Sequence, residues 1–264
     1  MTSSIKTVSN FDCVLQKLDS LEGKELVAFD VDQVLIDPVD HVLSGLGSDI
    51  KDRHFKDIRN RLGQGAFDYL YSIIVRDRSV VRLDDRLPFA IKDLHKRNIH
   101  TIGLTAFWDG PYGVIDDMSS FRVNQLKDFD FDFSPNKLVE SHIYKNHKSP
   151  RLNRHPRLRS GVLHTSHVSK GDTLLAYLKE QAFHPSTIIF IDDQPAYLDQ
   201  VEQACKKINV PFEGFCMRQS FLSQDLRNQE IDEAIAALQF QYLEKNKEWL
   251  DDRKASNMLQ KAVS

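Results

Sequence analysis

Two short apolar runs, each ending abruptly in acid, constrain this chain most: Glu25-Leu26-Val27-Ala28-Phe29-Asp30 and Thr187-Ile188-Ile189-Phe190-Ile191-Asp192-Asp193. An unbroken apolar run of this length is the signature of a strand covered on both faces, as in a parallel sheet sandwiched by helices. Three further runs fit the same description: His100–Thr105, Gly161–Thr165 and Val210–Cys216. Helix-like stretches precede several of them: Pro88–Arg97, Gly171–Gln181 and Ala196–Ile208. Strands alternating with helices of this length predict an α/β fold with a parallel sheet. Ligands in such sheets bind beyond the carboxyl ends of the strands, where this sequence places Asp30, Thr105 and Asp192.

Two stretches interrupt the alternation and set the expected domain boundaries. Residues 38–85 carry a helical pattern (Ile50, Phe55, Ile58, Leu62, then Phe67, Leu70, Ile74) broken at Gly63 and Gly65, which reads as a small helical insertion. Residues 145–159 are basic, with Lys145, Lys148, Arg151, Arg154, Arg157 and Arg159 together with Pro150 and Pro156, which reads as an exposed loop. From Gln224 onward an amphipathic helical pattern presents Leu226, Ile231, Ile235, Leu238 and Tyr242 on one face. The expected organisation is therefore a core of 1–37 and 86–223, an insertion at 38–85, and a C-terminal helical extension at 224–264, docked by default on the core.

Composition narrows the function classes. The 264 residues are 41% hydrophobic and 28% charged, enough to bury a large core, and the net charge of −3 argues against a general nucleic-acid binder. Cys13, Cys205 and Cys216 form no CxxC pair, which removes zinc fingers and thioredoxin-like sites and suits a reducing, cytoplasmic compartment. The polar segment 1–10 lacks the apolar stretch of a signal peptide, and no apolar run is long enough to span a bilayer.

The chemistry rests on carboxylates. Asp30 and Asp32 lie two residues apart just beyond a buried strand, and Asp192-Asp193 repeat the arrangement at another strand end. Close carboxylates repel, so either one holds a proton or a cation lies between them. A lone Asp-x-Asp is more often a loop pair capping a helix. Two acidic strand ends together favour a hard cation such as Mg²⁺, which takes oxygen ligands and keeps water positions open. Thr105 ends the Ile102 run with a hydroxyl, and Lys170, in Ser169-Lys170-Gly171-Asp172, opens a helix where an anionic oxygen is favoured.

The order Asp-x-Asp-x-Val, Thr, Lys, Asp-Asp resembles the four-motif signature of haloacid dehalogenase-like (HAD) phosphatases over about residues 24–216, most of the chain. Within that superfamily it is most similar to a bacterial family of intracellular bacteria that includes Legionella effector-type phosphatases. The stretches carrying this closer resemblance are Leu26–Leu35, Asp132-Phe133-Ser134, Gly161–Thr165, Ser169-Lys170-Gly171, Ile188–Leu198 and Glu213-Gly214-Phe215. The resemblance implies a HAD-like, doubly wound parallel-sheet core with a small helical cap at 38–85 and a Mg²⁺-dependent phosphomonoester hydrolase working through an aspartyl phosphate. It makes Asp30 the nucleophile, Asp32 the general acid and base, Thr105 and Ala106 the phosphoryl-binding positions, and Lys170 the charge-balancing cation. It puts Asp30, Asp32, Asp192 and Asp193 around the metal, with the order of the last two open: Asp193 as the direct ligand and Asp192 through water or by holding Lys170. Expected substrates are a phosphotyrosyl protein or a small aryl or sugar phosphate. Two alternatives stay open: an effector or binding protein on the same fold that contacts host protein or phosphoinositide after translocation into a host cell, and a phosphotransferase.

Several weaker features have bland explanations beside the functional ones. Phe107 and Trp108 could form an aromatic rim for an aryl phosphate or simply pack. The basic 145–159 loop could attract an acidic partner or merely be solvated. His142, His147 and His155 lack acidic or cysteine neighbours at ligand spacing, and His164 and His167 are expected to be structural.

Overall fold

The computed structural model describes residues 3–136, 141–149, 153–218 and 231–263. In chain order the elements are β1 (Ser3–Val8), α1 (Asp12–Asp19), β2 (Leu26–Phe29), β3 (Ile36–Pro38), α2 (Ser48–Asp77), β4 (Val80–Arg82), α3 (Leu87–Lys96), β5 (His100–Thr105) and α4 (Met118–Asp128). Then come β6 (Ser141–Ile143), β7 (Arg157–Arg159), β8 (Val162–His164), α5 (Lys170–Glu180), β9 (Ile188–Asp192), α6 (Pro195–Lys207), β10 (Phe212–Met217), α7 (Glu233–Asn246) and α8 (Asp252–Val263).

The apolar runs form the middle of an eight-stranded sheet in the order β1-β10-β9-β2-β5-β8-β7-β6. Pairing is parallel from β1 through β8 and antiparallel only at β8-β7 and β7-β6. Every residue of β2 and β9 is buried. The period-two alternation explains why. Leu26, Ala28, Ile188 and Phe190 pack with Leu174, Tyr177 and Leu178 of α5 and Leu198, Val201 and Cys205 of α6. The alternate residues Val27, Phe29, Ile189 and Ile191 are buried too, and the Phe29 ring lies 6.1 Å from that of Phe133. A mixed α/β fold with a central, mostly parallel sheet flanked by helices is thus realised.

Sheet order matters for function. The chain leaves β2 towards β5 and β8 on one side and returns to β9 and β10 on the other. Strand direction of travel therefore reverses between β2 and β9, and a crevice opens at their carboxyl ends at such a switch point.

The basic stretch is not a plain loop. Its described part contains β7, and Ser160-Gly161 turn β7 back into β8 with φ of +46° and +76°. Two consecutive positive φ values make the tight hairpin turn whose twist matches that of its strands. Gly161 is required there, because a Cβ would stand 2.2 Å from the Phe133 carbonyl oxygen. Arg157 pairs with Asp109 (2.8 Å), Arg159 with Asp117 (3.1 Å), and Arg154 donates to the Asp109 backbone carbonyl, so three of the six expected basic residues are used internally, while Lys145 and Lys148 stay exposed and Arg151 lies outside the described residues.

The chain divides into two units: residues 1–36, 82–110 and 117–219 carry the sheet, and residues 37–81, 111–116 and 220–264 make the second. The insertion and the C-terminal helices therefore belong to one unit rather than to two separate ones. The reason is a shared apolar core: Ile58, Phe67, Leu70 and Ile74 of α2 pack with Ala236, Phe240 and Leu243 of α7 and with Trp249. Buried Asp40 accepts from Trp249 Nε1 at 2.8 Å and from the Asp252 backbone N–H at 2.9 Å. Helix α2 runs past Gly63, whose φ of +82° marks a break in an otherwise continuous helix. The expected C-terminal helix is split, since Lys247 adopts the left-handed conformation and ends α7. Residues 224–230 of that expectation lie outside the described residues.

Candidate active site

The carboxyl ends of β2 and β9 bring the two acidic strand ends together. Asp30 follows β2 directly, and its N–H donates to the Ile191 carbonyl of β9 (2.9 Å), which fixes its backbone beside Asp192. One carboxylate oxygen from each of Asp30, Asp192 and Asp193 lies within 4.8 Å of the others. Residues 30 and 192 are 162 positions apart in sequence, so only the sheet register can make this contact.

Lys170, the first residue of α5, is fully buried between two of these acids. Its Nζ stands 2.8 Å from Asp30 Oδ1 and 2.7 Å from Asp192 Oδ2, over the Tyr197 ring at 4.4 Å. The helix start is fixed by the Ser169 side chain, which accepts from Asp172 N–H, and by Gln200, which accepts from the Lys170 N–H (2.9 Å). Asp192 Oδ1 in turn accepts from the Gln194 N–H at 2.7 Å, and Gln194 Nε2 donates to Asp193. Asp192 thus has both oxygens engaged and holds Lys170, one of the two roles left open for it.

Electrostatics follow from burial. Desolvation pushes the Asp30 and Asp192 carboxyls above the ordinary aspartate range; Lys170 opposes this, and the Asp30–Asp192 repulsion adds to it for Asp30. Asp193 rises to about 6, first through burial and then through the Asp30 charge. Burial disfavours the Lys170 ammonium, but the two acids beside it more than offset this and hold it above its ordinary value.

Asp32 takes a different place from the one expected. A tight turn over 31–36, in which Leu35 and Ile36 N–H both donate to the Val31 carbonyl and Gln33 has φ of +62°, carries it out of the strand line. It is not part of the three-carboxylate group. Both of its oxygens accept from Nη2 of Arg122, at 3.0 and 3.2 Å.

Thr105 ends β5, the neighbour of β2, with Phe29 in register with Gly103. Its hydroxyl oxygen accepts from the Phe107 N–H (3.2 Å), and the Ala106 carbonyl accepts from His167 N–H (3.2 Å). The aromatic pair packs: the Phe107 ring lies under the Arg122 guanidinium and 5.1 Å from the Trp108 ring, and Trp108 is buried. His167 sits 5.4 Å from Trp108. His164 is fully buried at the end of β8, and burial, with Arg122 next, pushes its ring down to about 3, so it is a neutral structural group.

Arg122 escaped the sequence reading. The signal available was its position on the apolar stripe of α4, between Met118 and Leu126, where a charged side chain is out of place unless something meets it. Three carboxylates, hard oxygen donors pre-gathered around one point with excess negative charge, fit a divalent cation. Among the described residues no helix is long and apolar enough to cross a membrane.

A family model described as "Protein of unknown function (DUF2608)" matches residues 6–256, so the chain belongs to that family. An uncharacterized protein of Rickettsia bellii (strain RML369-C) is 20% identical over 215 residues, which covers 76% of this chain and 74% of that protein. No solved structure matches the chain.

Proposed function

We propose that this member of the family is a HAD-like, Mg²⁺-dependent phosphomonoester hydrolase that works through an aspartyl phosphate on Asp30. The observation that carries the proposal is the convergence of Asp30, Asp192 and Asp193 at the carboxyl ends of adjacent strands, with Lys170 wedged between Asp30 and Asp192. Three buried or half-buried acids face one buried ammonium, a negative excess that fits a site that takes a cation and then an anionic ester.

Asp30, Asp192 and Asp193 would hold the Mg²⁺. When bound, the ion offsets the repulsion between a carboxylate nucleophile and a phosphate dianion and supports charge on the transferring group. Lys170 takes Asp30 Oδ1, which leaves Oδ2 to attack phosphorus in line. The bond from Oδ2 to phosphorus forms as the ester P–O bond breaks, and Asp32 gives its proton to the departing oxygen. Asp32 then takes a proton from the water that attacks the aspartyl phosphate, so that inorganic phosphate leaves and Asp30 is regenerated. Thr105 accepts from Phe107 and keeps its own hydroxyl hydrogen to donate to a phosphoryl oxygen.

Hydrolysis of p-nitrophenyl phosphate tests the reading. Activity is expected with Mg²⁺, and loss of at least about 1,000-fold in Asp30→Asn or under chelation. Full activity in Asp30→Asn removes the nucleophile from the scheme, and no hydrolysis by the wild-type protein removes the enzyme in favour of a binding role. Transfer of the phosphoryl group to an added alcohol in place of water would make it a phosphotransferase.

A further inference from the structure

Arg122 is the largest fully buried side chain among the described residues, at 0% exposure, and it is paired with Asp32, whose side chain keeps 27%. Its guanidinium is fixed from three directions. Nη2 straddles both Asp32 oxygens, Nη1 donates to Gln125 Oε1 at 2.7 Å, and Cζ lies 4.3 Å from the centre of the Phe107 ring. Phe107 itself is tied by its N–H to Thr105. One planar group therefore joins the Asp32 turn, the loop after β5 and helix α4. Fold stability alone does not ask for this: an apolar residue at the same stripe position would bury itself without desolvating a charge.

Resting on the phosphatase reading above, we propose that Arg122 is a positioning residue for Asp32, setting the direction in which that carboxyl meets the leaving oxygen of the ester. Arg122 transfers no proton. Asp32 passes its proton to the ester oxygen as the P–O bond breaks and is left as the carboxylate that Arg122 receives.

The test separates positioning from general structural damage through leaving groups. Arg122→Met and Arg122→Lys are compared with wild type by kcat/KM over a series of aryl phosphates from p-nitrophenyl to p-methoxyphenyl. The p-nitrophenolate departs without needing a proton, whereas the poorer leaving groups depend on Asp32. Arg122→Met is expected to lose less than about 3-fold on p-nitrophenyl phosphate and about 10- to 100-fold on p-methoxyphenyl phosphate, part of the range general acids supply. Arg122→Lys keeps the charge and stem but not the planar contacts, and is expected to shift the same way by a smaller factor; it carries the test if Arg122→Met does not fold. An equal loss across the series, or no loss at either end, overturns the positioning role while leaving the phosphatase intact. A wild-type protein inactive on every ester overturns both.

Discussion

Lys170→Met isolates the physical core of the site, because it keeps most of the side-chain volume and removes only the charge. Wild-type Nζ lies 2.8 Å from Asp30 and 2.7 Å from Asp192, with all three groups buried. At these distances and an effective dielectric near 20, each contact gives roughly 6 kcal/mol of Coulomb attraction, most of it offset by desolvation. Removing one partner of such a buried cluster costs about 3–5 kcal/mol, since the acids are left facing each other. They can escape by protonation, and this sets the sign of the pH effect. A carboxyl whose folded value is raised above its unfolded value of about 3.9 stabilises the fold fully below that value, and the contribution is lost as pH rises through the raised one. Without Lys170 the raised values of Asp30 and Asp192 climb further. The loss in Lys170→Met should thus grow by up to about 1.4 kcal/mol per pH unit for each acid that holds an extra proton. The expected result is about 3–5 kcal/mol at pH 8 and roughly 1–2 kcal/mol at pH 5.5, read from urea melts of the metal-free protein. A loss that is equal at the two pH values, larger at pH 5.5, or below about 1 kcal/mol at pH 8 refutes the reasoning.

Two further outcomes follow from the same structure. The thermal stabilisation of the wild-type protein by Mg²⁺ should increase between pH 5.5 and 7.5, because ligands must be ionised; with Asp193 at about 6, roughly a quarter of it is ionised at the lower pH and nearly all at the higher, a fourfold effect on affinity from this residue alone. Calorimetric titration at the two pH values checks it, and flat or inverse dependence counts against Asp193 as a ligand. Gly161→Ala should destabilise the protein by about 2–3 kcal/mol, from a φ of +76° and a Cβ 2.2 Å from the Phe133 carbonyl, while Ser160→Gly in the same turn, at φ +46°, should be neutral or mildly stabilising in thermal melts.

What was legible in the sequence was what burial writes locally. The strands β2, β5 and β9 announce themselves because both faces are covered and their middle residues form apolar runs: Leu26–Phe29, Ile102–Leu104 and Ile188–Ile191. Their acidic ends stand out for the same reason, as charge where the run should continue. Strand β1 gave no such sign: Ser3–Val8 is a mostly exposed edge strand held by pairing to β10 rather than by burial. Strand β7 was hidden by its arginines, which look solvated in sequence and are paired with Asp109 and Asp117 in space. The second unit was seen only in part, because the apolar faces of α2 and α7 each read as an independent amphipathic helix and their shared core joins residues about 170 apart. Arg122 was the costliest omission. Its partner Asp32 is 90 residues away, and nothing local distinguishes a buried arginine from a solvated one except its place on an apolar stripe.

The charge count at the strand ends ties these observations to the chemistry. Asp30, Asp192 and Asp193 against Lys170 leave a double negative excess when all are ionised, in a buried place where like charges within 4.8 Å of one another repel by roughly 3–4 kcal/mol at an effective dielectric near 20. Burial raises these carboxyls first, and the repulsion of Asp30 by Asp192, of Asp192 by Asp193 and of Asp193 by Asp30 adds to it, so that taking up protons relieves the site. In the proposed reaction a divalent cation would cancel the same excess without protonating Asp30, and would leave the proposed nucleophile ionised near neutral pH. Lys170 alone cannot do this, since one ammonium serving two acids leaves Asp193 uncompensated. On this reasoning, metal binding and nucleophile activation are one event, and Asp193→Asn, which lowers the excess by one, should weaken Mg²⁺ binding while raising the stability of the metal-free fold at pH 8. A variant that loses Mg²⁺ affinity without that gain in stability would separate the two and show that the repulsion is not what the cation relieves.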